Sequence, residues 1–410
     1  VAVIGLMIMP FLNVIIREPP TIKENISIIY LIFLFNTSTS YFFSYRSSLL
    51  IAAQQNYLVT GVNYVILVIQ TTLQAGWLIF RRDYIGYLII QAAGTLIYNI
   101  IISLLAKKRY PYIAGKNIKP LPKAEKKELG RNIRALVIYK LSGLLVNSTD
   151  NLIITFFNGL TAVGLLSNYT LLSNTLNSLL NQIFNGVNAS VGNLNATESK
   201  EKRIEIFSCL NFMNFWLFGW ASIGIFVVSS DIVKLLFGET YILPDSIPFI
   251  LAVNFYMVGM QNTIWTFKNT MGLFRYGRYL LILTAIINLT ASILLGKLWG
   301  VFGILAATCI SRILTNTWYD PYAVFKYGLK ESPKRYLFTY FKYIIILFAV
   351  GTICFVFCSQ VHFSLFWNVI IKMILCSAIA NSLLWIIFRK TSEYRYLKEK
   401  ILTLINKIFK

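Results

Sequence analysis

The sequence predicts an all-α fold: a polytopic transmembrane helical bundle in two lobes, with about twelve spans. Three observations predict it. Of the 410 residues, 57% are hydrophobic and only 13% charged, whereas an average soluble chain is roughly 45–50% apolar and about 25% charged. Apolar runs approaching the roughly 20 residues that a bilayer crossing needs recur along the whole chain. Lys and Arg lie mostly between those runs, and mostly on alternate sides of them. Helix is the economical conformation, because in hydrocarbon each backbone N–H and C=O must be paired within its own segment, and the runs are too long for barrel strands.

In chain order the spans cover approximately Val1–Ile16, Ile26–Tyr45, Tyr57–Phe80 and Tyr84–Ala106, then Ala135–Phe157, Leu160–Phe184, Phe207–Ser229 and Ile247–Phe267, then Tyr279–Leu298, Val301–Tyr319, Tyr340–Gln360 and Leu365–Phe388. The first starts inside an apolar run, without a charged n-region or an A-x-A cleavage site, so it is expected to follow a missing N-terminal portion and not to be a signal peptide. Between the fourth and fifth spans lies the longest polar connection, Lys107–Arg134, with Pro111, Pro120 and Pro122 and ten basic residues. It reads as a cytoplasmic linker. The expected organisation is therefore an N-terminal lobe 1–106, a linker 107–134, a C-terminal lobe 135–319, two additional spans in 320–388 and a basic tail 389–410. In that tail Leu397, Ile401, Leu404, Ile405 and Ile408 repeat at helical spacing, with Lys398, Lys400 and Lys407 elsewhere on the circumference. Such a helix lies on an anionic inner leaflet.

Charge tests this topology. With Val1 at the cytoplasmic end of the first span and sides alternating, the inside segments hold 28 of the 38 Lys and Arg, including Arg46 and Lys268, and the outside loops hold six. Lys140, Arg312, Lys342 and Lys372 fall within spans. A shift of one span would scramble the partition, so the asymmetry supports count and orientation together, with both ends of the chain in the cytoplasm. The net charge of +22 is thereby explained by loops, and nucleic acid is not an expected partner.

Several chemistries are excluded. The five cysteines, Cys209, Cys309, Cys354, Cys358 and Cys376, all sit in apolar runs without CxxC spacing and read as lipid-facing or packed thiols. His362 is the only histidine, which rules out a His-rich metal site. No catalytic constellation, Walker A motif or Gly-rich phosphate loop is present, so neither an enzyme nor an ATP motor is expected, and no cofactor is implied.

Polar groups inside spans are costly and need a partner, a cavity or a function. Thr170, Asn174, Asn177, Asn181, Asn185 and Asn188 follow steps of 4, 3, 4, 4 and 3, which aligns them on one stripe of a helix. The stripe forms either the wall of a water-filled cavity or interhelical amide glue. Amides both donate and accept, which suits a ligand dense in hydroxyls. The preceding span carries a second stripe, Lys140, Asn147, Asn151 and Asn158, with Asp150 beside it. Lys140 either faces the cavity or snorkels to the interface. Arg312 is always ionised, so it must meet an anionic ligand or pair with Asp150 or Asp320. Asn36–Ser40, Gln70–Gln74 and the group Asn254, Gln261, Asn262 and Thr263 are weaker clusters, either cavity walls or hydrogen-bonded kinks. The expected cavity residues are therefore Arg46, Lys140, Asn147, Asp150, Asn151, Thr170, Asn174, Asn177, Asn181, Asn185 and Arg312.

Two stretches carry a family resemblance. Tyr41–Tyr57 (YFFSYRSSLLIAAQQNY) resembles the loop after the fourth span of Wzx-type polysaccharide flippases. Asp150–Leu172 (DNLIITFFNGLTAVGLLSNYTLL) resembles their seventh and eighth spans, with an Asp-Asn pair, a Gly turn and a Ser-Asn-Tyr in that order. Paired spans, basic linker and basic tail match as well. These proteins belong to the multidrug/oligosaccharidyl-lipid/polysaccharide (MOP) superfamily and typically have fourteen spans, so the resemblance implies that the first two are absent here. It further implies export of oligosaccharide repeat units on undecaprenyl pyrophosphate across a bacterial cytoplasmic membrane, for capsule or similar polymers. Polymerase and assembly proteins would be partners, and Na⁺ or H⁺ a coupling ion. A drug/cation antiporter of the same superfamily or a lipid II flippase would be the alternatives.

Overall fold

The computed structural model describes residues 1–12, 24–53, 55–114, 122–273, 276–277 and 279–408. Lys140, Asn147, Asn185 and Asn188 have side chains outside the described residues. All regular structure among the described residues is helical. The chain divides into two compact units, Val1–Arg131 and Asn132–Lys410.

In the first unit α1 (Ala2–Ile8) is followed by α2 (Ile26–Ser40), α3 (Ser44–Ala52), α4 (Asn56–Arg81) and α5 (Tyr84–Arg109). The polar cluster at the end of α2 is a hydrogen-bonded kink. Thr37 and Thr39 donate to the carbonyls of Phe33 and Phe35, and the axis turns by 44° between Ile26–Ser40 and Ser44–Ile51. The predicted continuous span Ile26–Tyr45 is thus broken, because hydroxyls bonding back to i−4 carbonyls compete with the helical ladder. Asp83 starts α5 by accepting from Ile85 and Gly86 N–H, as an N-cap carboxylate does. Gln74 donates to Tyr87 O at 3.1 Å and Asn99 to Thr39 O at 2.8 Å, so these amides tie helices together.

The second unit contains most of α6 (Lys123–Thr197), followed by α7 (Lys200–Phe237), α8 (Ser246–Thr270), α9 (Leu280–Leu314), α10 (Asn316–Ala323), α11 (Lys334–Ser359), α12 (Leu365–Phe388) and α13 (Ser392–Ile408). Two of these helices are folded back on themselves. In α9, Gly300 has φ 56° and ψ −137°, a conformation that side chains resist. Asn288 bonds Thr308 at 2.9 Å and Thr284 bonds Thr315 at 2.8 Å across it, so 280–299 and 301–314 are antiparallel arms. A Cβ on Gly303 would run into the Leu295 carbonyl, so glycine permits the close approach. Gly159 breaks α6 in the same way, at φ 81° and ψ 167°, and Ile153 and Ile154 share a core with Leu166 and Tyr169 beyond it.

Eight described helical stretches are long and apolar enough to cross a membrane, nine if the bent pair α2–α3 counts as one span. Two of the eight contain the Gly159 and Gly300 hairpins. Counting their arms separately, and adding the shorter apolar helix Ala2–Phe11, gives twelve apolar helical segments among the described residues, in the places of the twelve expected spans. The chain is a multi-pass membrane protein. All five cysteines are free and buried.

Candidate functional site

The two hairpins of the second unit build a cavity of about 510 Å³. The first arm of α6 contributes Asp150, and the second contributes Thr170, Ser173, Asn174 and Asn177. Asn254 and Gln261 enter from α8, Thr308 and Arg312 from the second arm of α9, and Asn316 and Thr317 from the start of α10. The steps of 4 and 3 that align Thr170, Asn174 and Asn177 put them on one face of the helix. Without the reversal at Gly159, Asp150 and Thr170 would lie some 30 Å apart along one helix axis; the hairpin brings them to one wall.

Asp150 is anchored by a relay. Asn288 Nδ2 donates to Thr308 Oγ1 at 2.9 Å, and Thr308 Oγ1 donates to Asp150 Oδ2 at 2.8 Å. Asn288 is fully buried, and its own Oδ1 and Asp150 Oδ1 are buried without a hydrogen-bond partner among the described residues. Arg312 lies close enough to Asp150 for the two charges to interact. Asn254 donates to Leu305 O at 3.0 Å, while its Oδ1 is buried and unpartnered. The cavity therefore offers a guanidinium, a carboxylate and several acceptors and donors with capacity left over.

The amide file divides. Thr170, Asn174 and Asn177 line the cavity. Asn181 lies beyond it, donating to Asn177 Oδ1 at 3.1 Å and accepting from Asn262 Nδ2 at 2.8 Å, which is interhelical glue. Asn185, Lys140 and Asn147 have side chains outside the described residues. Asn151 is exposed and is not in the cavity wall. Arg46 belongs to the first unit, where its guanidinium bonds the Ser103 hydroxyl and the Tyr45 hydroxyl and lies 5.1 Å from the Phe43 ring centre.

The charges inside the bundle are paired differently from the sequence expectation. Asp320 bonds Lys268 at 2.6 Å, with side chains 7% and 15% exposed. Lys268 is therefore not a loop cation: α8 continues to Thr270 and carries it inward, and Asp320 is occupied by it. Lys372 bonds Asp231 at 2.7 Å, and Asn368 joins the same carboxylate at 3.2 Å. Lys342 is exposed, 5.8 Å from the Phe388 ring centre.

Sequence reasoning missed Asn288 and Thr308. A signal existed, since Thr284, Asn288 and Ser292 recur at steps of four on one arm and are all fully buried.

No protein-family model matches the chain, and no curated protein matches it. Among solved structures the chain is similar to the lipid II flippase MurJ in an inward closed conformation, with a TM-score of 0.60 over 94% of this chain and 80% of that one, at 14% identity. The likeness is one of fold. At this identity it speaks for architecture alone and does not distinguish one cargo from another.

Proposed function

We propose that this chain is a flippase for undecaprenyl-pyrophosphate-linked oligosaccharide repeat units, working in a bacterial cytoplasmic membrane with both ends of the chain in the cytoplasm. The observation that carries this reading is the composition of the cavity wall. Asn174, Asn177, Asn254 and Gln261 offer amides to sugar hydroxyls, and Arg312 offers a planar fork to phosphate oxygens. Alternating access would present the cavity to each side in turn. The membrane potential assists, because moving one negative charge outward across an inside-negative membrane is favoured by about 2.3 kcal/mol per 100 mV. Asp150, with one oxygen anchored by Thr308 and the other open, is the candidate group for a coupling Na⁺ or H⁺. Polymerase and assembly proteins are the proposed partners, and anionic lipids the proposed contact of α13.

The similarity in fold to the lipid II flippase MurJ motivates one second reading, in which the cargo is lipid II. Expression in a strain lacking its polysaccharide flippase, and separately in one depleted of its lipid II flippase, tests the choice. The proposal expects surface polymer to return in the first strain and no rescue of growth in the second. Rescue of the second alone would reverse the assignment.

A further inference from the structure

A second cavity, sharing no residue with the first, lies at the end of the second unit where α7 and α11 begin and α13 passes. It measures about 490 Å³. Under the proposed orientation this end faces the cytoplasm.

The mouth is acidic. Glu201 comes from the start of α7, Glu331 from the turn before α11 and Glu393 from α13, with Arg335 the one cation in the lining. Lys200 bonds Glu331 at 2.7 Å and holds its carboxyl below the usual range. Glu201 is also held low, by its own backbone N–H and the Ser199 hydroxyl. Both are therefore charged at neutral pH. Behind the mouth the wall is aromatic, with Tyr336 set 5.9 Å from Phe207 and 5.7 Å from Phe325, centre to centre.

The deep part contains unanswered polar groups. Tyr336 is 4% exposed and Asn211 is 3% exposed, both line the cavity, and the Tyr336 hydroxyl and Asn211 Oδ1 have no hydrogen-bond partner among the described residues. A buried acceptor left open has lost its hydration without replacement, so a ligand donor there is favoured. Asn211 follows Glu201 by ten residues of α7, so it sits about 15 Å deeper along the helix axis.

We infer that this cavity binds an elongated aliphatic amine: an ammonium among Glu201, Glu331 and Glu393, a carbon chain along the aromatic wall, and a hydrogen-bond donor at the far end on Asn211 and Tyr336. Diamines and amino alcohols fit that description. The three carboxylates outnumber Arg335 in the lining, and Lys200 neutralises only Glu331, so an ammonium is favoured there over an anion. A sugar alone brings no counter-charge to Glu201 and Glu393, and aromatic faces favour cations further.

The test is calorimetric titration of the full chain in nanodiscs of phosphatidylcholine and phosphatidylglycerol. The probes are hexane-1,6-diamine, 6-amino-1-hexanol, hexylamine and hexan-1-ol. The diamine and the amino alcohol are expected to bind saturably, hexylamine several-fold more weakly, and hexanol at least about tenfold more weakly than the amino alcohol. E201Q combined with E393Q should weaken the amino alcohol about tenfold. Asn211→Leu should erase its advantage over hexylamine while retaining ammonium binding. Tyr336→Phe, which keeps the ring, tests the same floor if Asn211→Leu does not fold. Equal binding of hexanol and the amines, unchanged affinity in the double glutamine variant, or absence of saturable binding each overturns the inference. So does binding that appears only with phosphatidylethanolamine discs and with none of the soluble amines, because the ligand would then be a lipid headgroup.

Discussion

Asp320→Ala is expected to be one of the most damaging substitutions away from the cavity. Lys268 and Asp320 meet at 2.6 Å with little of either side chain exposed. With an effective dielectric of about 20, two charges at that separation attract by roughly 6 kcal/mol, most of which offsets their desolvation. Removing the carboxylate leaves the Lys268 ammonium buried without compensation, at a cost of about 3–5 kcal/mol. Thermal unfolding of the detergent-purified protein should then fall by about 3–6 °C, the scale for a chain of this length. Lys268→Met combined with Asp320→Leu replaces the pair by apolar groups and should recover most of that loss. Arg312→Ala combined with Asp320→Ala should simply add the two single effects, since Asp320 belongs to Lys268. An unchanged melting temperature in Asp320→Ala, or its rescue by Arg312→Ala, would refute this pairing.

Two further predictions concern topology and the amide file. Single cysteines near Lys123, Lys202 and Lys400 should resist an impermeant thiol reagent in intact cells, whereas cysteines near Lys23 and Asp245 should react; labelling at Lys123 from outside would reverse the proposed orientation. Asn174→Leu and Asn177→Leu should lower polymer export at near-normal membrane levels, whereas Asn181→Leu should lower the level of folded protein, because it strips Asn262 of its acceptor at about 1–3 kcal/mol. Export and immunoblots from the same cells separate the two effects.

Span positions were legible because hydrocarbon enforces long apolar runs, and Gly159 and Gly300 fall at the predicted turns. The kink after Ser40 was legible only as one of two alternatives for the Asn36–Ser40 cluster, since hydroxyl back-bonding leaves no mark in hydropathy. The cavity was legible as far as a 3.6-residue repeat reaches: Thr170, Asn174 and Asn177 share a face, and Asp150 is brought to them by the hairpin. The same repeat could not distinguish Asn181, whose role depends on Asn262 lying opposite, 81 residues away. Ion pairs escaped for a related reason. Lys372 and Asp231 are 141 residues apart, and nothing local in either helix names the other. Asn288 and Thr308 were hidden by their neighbours, because one amide and a few hydroxyls barely lower the apolar character of α9.

In the proposed flippase, Arg312 serves the anionic part of the cargo and does not merely neutralise Asp150. Polymer export at matched membrane levels, compared among Arg312→Ala, Arg312→Lys, Asp150→Ala and the Arg312→Ala/Asp150→Ala double variant, tests it most directly. Severe loss is expected in Arg312→Ala and partial activity in Arg312→Lys, which keeps the charge but loses the planar fork. The double variant should be as inactive as Arg312→Ala. Recovery of export in the double variant would show that the guanidinium only balances the carboxylate, and would contradict the claim.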